Sequence, residues 1–128
     1  MQHNVDRTTQ SIALLNDQAR TTLTNCKLII TRGIDLLGTE AVDCILNLVK
    51  SFDDFSERND PFGEHDFGAT EYKSNTIFWK IDCYDLDLMN HSPDPRDPHV
   101  TRRVLTICLL YTSPSPRDVS LSRMPSSA

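Results

Sequence analysis

The chain of 128 residues is long enough for one domain with one modest core, and its thirteen Lys and Arg against eighteen Asp and Glu give a formal net charge of −5. That balance argues against direct binding of a nucleic-acid backbone, which needs a clustered excess of basic side chains. The opening MQHNVDRTTQ has no apolar stretch and no run approaches bilayer-spanning length, so the expectation is a soluble, cytoplasmic protein with no membrane partner.

Residues 6–23 place Ile12, Leu15, Ala19 and Leu23 at helical spacing, with Asn16, Asp17, Gln18 and Arg20 mainly on the other faces, which predicts an amphipathic helix. KLIIT (27–31) is a short β-branched run, read as a buried strand that Arg32 and Gly33 then turn. Gly38 and Thr39 supply a turn and an N-cap for a second helix, with Val42, Ile45, Val49 and Phe52 on one stripe and an end near Phe55. Residues 65–72 and 76–83 form a β-hairpin. A three-residue loop, Lys73 to Asn75, pairs Ala69 with Trp79, Phe67 with Ile81 and Asp66 with Asp82. It gathers more apolar groups on one face than a two-residue loop pairing Phe67 with Asp82. Residues 85–98 are an Asp- and Pro-rich loop, and VTRRVLTI (100–107) resumes strand composition. The order predicts an α+β domain: two amphipathic helices packed on a small, largely antiparallel sheet containing a central β-hairpin.

The last stretch differs in kind. CLLYTSPSPRD (108–118) and SRMPSSA (122–128) resemble the in-frame translation of a sequencing adapter. The native domain is therefore taken as residues 1–107, with its own C-terminus replaced, and 108–128 as a non-native, disordered tail. A natural Pro/Ser-rich tail is the alternative. The remaining cysteines, Cys26, Cys44 and Cys83, lack CxxC spacing and read as reduced, mostly buried thiols, neither a disulfide framework nor a zinc ribbon.

The charge is uneven. Residues 51–99 hold twelve Asp or Glu against four Lys or Arg, and the hairpin brings their loops together at its open end. Asp60, Phe62, Glu64, His65, Asp66, Asp82, Tyr84 and Asp85 are the candidate binding residues, since loops placed by a rigid scaffold commonly carry function. Within this set Glu64, Asp66, Asp82 and Asp85 offer the oxygen ligands that suit Mg²⁺, Mn²⁺ or Ca²⁺, and His65, Asp66 and Asp82 the groups for acid–base or metal-assisted hydrolysis. The plainer reading makes Asp60 a turn cap and pairs Asp66 and Asp82 with Lys80 and Arg102. His91 and His99 read as solvent-facing, Trp79 as core, and Cys83, in an acidic field, as a poor nucleophile.

LNDQAR (15–20), TRGI (31–34), VKSFDDF (49–55), NDPFGEHDFG (59–68), FWKIDCYD (78–85) and SPDPRDP followed by VTRRVLTI together resemble the bacterial family called domain of unknown function 3768, over residues 8–107. The resemblance implies no activity. It implies a small accessory protein of plasmids and other mobile elements. The preferred expectation is thus a non-enzymatic accessory or regulatory domain whose acidic loops bind a basic protein surface. The alternative is a metal-dependent hydrolase built on Asp66, Asp82 and His65.

Overall fold

The structure, a computed structural model, describes the backbone of residues 3–110 and the side chains of residues 12–110. Seven elements follow in order: α1 (His3–Thr22), β1 (Cys26–Ile30), α2 (Arg32–Asp35), α3 (Thr39–Lys50), β2 (Phe67–Tyr72), β3 (Asn75–Tyr84) and β4 (Arg102–Leu110). The strands make one sheet in the order β1-β4-β3-β2, with β1 and β4 parallel and the other two pairs antiparallel. The protein is an α+β fold. The hairpin holds one side of the sheet, and β4, paired between β1 and β3, has Arg103, Val104, Leu105 and Ile107 all buried.

The faces of the sheet are set by alternation. Ile77, Trp79 and Ile81 of β3 and Leu105 and Ile107 of β4 point to one side, where Ile34 of α2 and Ala41, Ile45 and Val49 of α3 close on them. Each fully buried aliphatic side chain of this set contributes about 1.5–3 kcal/mol relative to exposure. α3 is shorter than its apolar stripe predicts. It ends at Lys50 because Phe52 and Phe55 leave the helix to pack edge-on against Trp79, at ring separations of 5.5 and 6.2 Å. The expected turn at Arg32 and Gly33 is instead the single helical turn α2, started by the Thr31 carbonyl accepting the amides of Ile34 and Asp35 and fixed by Ile34, which is fully buried.

The hairpin register differs by one residue from that predicted. Gly68 pairs with Trp79, Ala69 with Phe78 and Phe67 with Lys80, across a two-residue loop of Lys73 and Ser74. Lys73 has φ +56°, the sign a tight hairpin turn needs at its first central position. The cause is Trp79: its indole lies over Gly68, where an added Cβ would sit 2.7 Å from Nε1. The slip also removes the predicted facing of Asp66 on Asp82, since the Asp66 carbonyl now accepts the Ile81 amide and Asp82 pairs with Val104. Phe78 is half-buried edge-on against Phe67.

Two further expectations are corrected. Cys44 is exposed on α3, while Cys26 and Cys83 are half-buried; all the cysteines are free thiols. β4 continues past Ile107 through Cys108, Leu109 and Leu110, which pair with Phe78, Ile77 and Thr76. Three residues assigned to the adapter-like tail therefore extend the ladder, because pairing is decided by the free backbone groups of β3. The rest of that tail, residues 111–128, lies outside the described residues. No helix among the described residues is long and apolar enough to cross a membrane.

Candidate functional site

The open end of the hairpin is built from two turns. In the first, Asn59 donates through Nδ2 to the Asp54 carbonyl at 2.9 Å and accepts the Ser56 amide at 2.8 Å. Asp60 is buried, and its Oδ1 accepts the amides of Glu64 and His65 at 3.0 and 3.2 Å, which is the turn-capping role of the plainer reading. His65 has φ +55°, uncommon for a residue with a Cβ. Three contacts hold it there: Asp60 on its amide, the Asp17 carboxylate 3.0 Å from Nδ1, and the Phe55 ring stacked on it at 3.9 Å. Its imidazole is thus committed to α1 and the core edge. Phe62, at 76 % exposure, is the open tip of the turn.

The second turn follows β3. Asp85 accepts the amides of Met89 and Asn90 at 3.0 and 3.4 Å, and the Met89 amide holds its carboxyl below the usual value. Tyr84 bridges to His91 through the backbone, their rings parallel at 6.3 Å. The Pro-rich loop is tied at its base by the Ser92 and Thr101 hydroxyls at 2.6 Å, Thr101 donating onward to the Asp94 carbonyl at 2.8 Å.

Between the turns lies a cleft of about 240 Å³. Glu64, Asp66 and Asp82 line it, with Ile81 and Cys83 of β3, Ile12 and Asn16 of α1, and His91, Ser92 and Pro95 of the second loop. Burial pushes the Glu64 and Asp66 carboxyls above their ordinary values; Asp66 and Asp60 add to the effect at Glu64, Asp60 and Asp82 at Asp66. Among the described residues no Lys or Arg lines the cleft, and neither Glu64 nor Asp66 has an ion pair. Lys80 meets Asp82 at 3.3 Å, with Lys80 mostly in water, where such a pair contributes little. Arg102, expected to pair with Asp66 or Asp82, makes no ion pair there.

Of the eight predicted binding residues the structure brings three, Glu64, Asp66 and Asp82, to one cleft. Asp60, His65 and Asp85 serve the turns. The metal expectation is not supported by this placement. Among the described residues no three His, Cys, Asp or Glu side chains group as an ion would need. Asn16 escaped the sequence reading because its helical period put it off the core stripe. It is 1 % exposed, donating to the Glu64 carbonyl at 2.9 Å and accepting from Arg103 Nε at 2.6 Å. His91, read as solvent-facing, and Ser92 line the cleft as well.

A pH effect follows. Since the fold raises the Asp66 value, the folded chain holds that proton more tightly than the unfolded one. The penalty for ionising it is absent below the ordinary carboxyl value and grows as pH rises through that range and beyond. Asp66→Asn is expected to raise the thermal midpoint at pH 7 and leave it nearly unchanged at pH 3. A lower midpoint at pH 7 would instead make the ionised carboxylate a structural partner.

A family model described as a protein of unknown function (DUF3768) matches residues 30–112, starting at the last residue of β1 and running past the end of β4. No curated protein and no solved structure matches the chain.

Proposed function

We propose that this chain, which belongs to the DUF3768 family, is a non-enzymatic binding domain that receives a basic side chain of a partner protein between Glu64, Asp66 and Asp82. One observation carries the reading: a cleft with three carboxylates, two of them raised by burial, and no Lys or Arg among the described residues of its wall. A guanidinium or ammonium entering there would relieve the mutual repulsion and strengthen as water leaves. The surrounding acidic loops would steer a basic surface toward it. The setting suggested by the resemblance is an accessory role on a bacterial mobile element, in a reducing cytoplasm where the free thiols stay free.

The test is titration with a short amidated peptide carrying one Arg, followed by NMR at two ionic strengths. Binding should weaken with salt. It should be lost in Asp66→Asn with Asp82→Asn, and kept in Asp53→Asn with Asp54→Asn, which removes the same charge from an exposed loop. Equal loss in both pairs would reduce the effect to net charge and sink the site. A midpoint raised by Mg²⁺, Mn²⁺ or Ca²⁺ and abolished by the first pair would restore the hydrolase reading in its place.

A further inference from the structure

Arg103 is the one buried cation of β4, and its position is forced by register. It lies between Cys26 of β1 and Cys83 of β3 on the helix-covered face, 4 % exposed. A buried guanidinium is ordinarily paired with a carboxylate, because leaving its charge uncompensated is costly. Here Nε donates to the Asn16 side chain at 2.6 Å and Nη2 to the Pro95 carbonyl at 2.7 Å, both neutral acceptors. No Asp or Glu among the described residues pairs with it. The flanking thiols do not supply the charge either, since burial pushes both Cys26 and Cys83 up, toward the neutral form. A guanidinium has five donors, so three remain, including both on Nη1.

Arg103 also walls a second cavity, of about 210 Å³. Leu15, Ala19 and Pro98 make its apolar side. Gln18, Thr24 and Asn25 make the polar side, and their side chains have no hydrogen bond among the described residues. Asn16 lines the acidic cleft and Arg103 this cavity, so the two spaces lie on either side of the Asn16–Arg103 bond. We propose that this cavity binds a small monocarboxylate, with its carboxylate on the free edge of Arg103 and its hydrocarbon end against Leu15, Ala19 and Pro98. A space of about 210 Å³ has room for an acid of the size of butyrate. A phosphate dianion would call for more than the single cation present. The proposal is independent of the acidic cleft, which Arg103 does not line.

The full chain, labelled for NMR, is titrated with butyrate, with butyramide as its neutral counterpart, and with inorganic phosphate. Butyrate is expected to shift the Arg103 side-chain signals and the Thr24 and Asn25 amides saturably, butyramide and phosphate to leave them in place, and Arg103→Met to weaken butyrate at least tenfold. No saturable shift with butyrate, equal shifts with butyramide, or a response to phosphate alone would each overturn the assignment. The ligand comparison is made on the unaltered chain, so it decides the matter even where Arg103→Met fails to fold.

Discussion

Arg20→Ala is expected to cost about 3–5 kcal/mol of folding stability, the range for breaking a buried charged network by removing one partner. Arg20 is 2 % exposed. Its Nη1 donates to the carbonyls of Val49, Lys50 and Phe52 at 2.8, 3.3 and 2.9 Å, and Nη2 meets Asp17 at 2.8 Å. Those carbonyls belong to the last turn of α3 and the bend after it, groups that a helix leaves without partners and where a cation also complements the helix dipole. The guanidinium lies 5.0 Å from the Trp79 ring and 5.5 Å from the Phe55 ring, so it also covers the aromatic cluster. Losing it strands the carbonyls and frees Asp17, which holds His65 in place. Arg20→Lys should recover little, because a single ammonium cannot span three carbonyls and a carboxylate. Urea unfolding gives the result directly. A loss under 1 kcal/mol, or full rescue by Lys, would show that the network is dispensable. Domains of this size have only about 5–15 kcal/mol in all, so the variant should also lose peptide binding at 37 °C as it unfolds.

Arg20 also shows where a sequence stops being legible. The helical period in residues 12–23 identified α1, but assigned Asn16 and Arg20 to faces away from the core because both are polar. Both are buried, and apart from Asp17 their partners lie 29 to 87 residues away, beyond the reach of any local pattern. Trp79, the stripe of α3 and the capping by Asp60 were readable because each depends on neighbours in sequence or on bulk apolarity. The hairpin register was misread for the opposite reason. Counting apolar residues favours Ala69 against Trp79, and Gly68 contributes nothing to that count. A glycine inside a strand marks close approach, and that signal outweighs the hydrophobic tally here. The acidic cleft was legible as a region, since the hairpin brings both loops to one end. Its division into turn caps and lining residues was not, as it depends on which carboxylates find backbone amides.

Gly68→Ala is the sharper test of that register, with an expected cost of about 1–3 kcal/mol for overpacking. An ideal Cβ on Gly68 falls 2.7 Å from Trp79 Nε1 and 2.8 Å from its Cε2 and Cζ2, too close to persist. The atoms it meets belong to a rigid ring with no exposed surface, braced edge-on by Phe52 and Phe55 and covered by Arg20. Relief must therefore come from the cluster or from β2. The entropy gained by replacing a strand glycine offsets only about 0.5–1 kcal/mol. The chain has a single Trp, so its fluorescence reports the site without added labels, and emission should shift to the red in the variant. Trp79→Phe supplies the control, since the smaller ring withdraws the atoms in conflict. In that background Gly68→Ala should cost less than half as much, the non-additivity expected of residues in direct contact. Additive costs would mean that the strain lies elsewhere and that the indole does not select the register. The consequence reaches the cleft, because Asp66 immediately precedes β2 and its carbonyl is tied to the Ile81 amide. If β2 yields to the new methyl, Asp66 moves with it, and Gly68→Ala should weaken the Arg peptide even at temperatures where the chain stays folded.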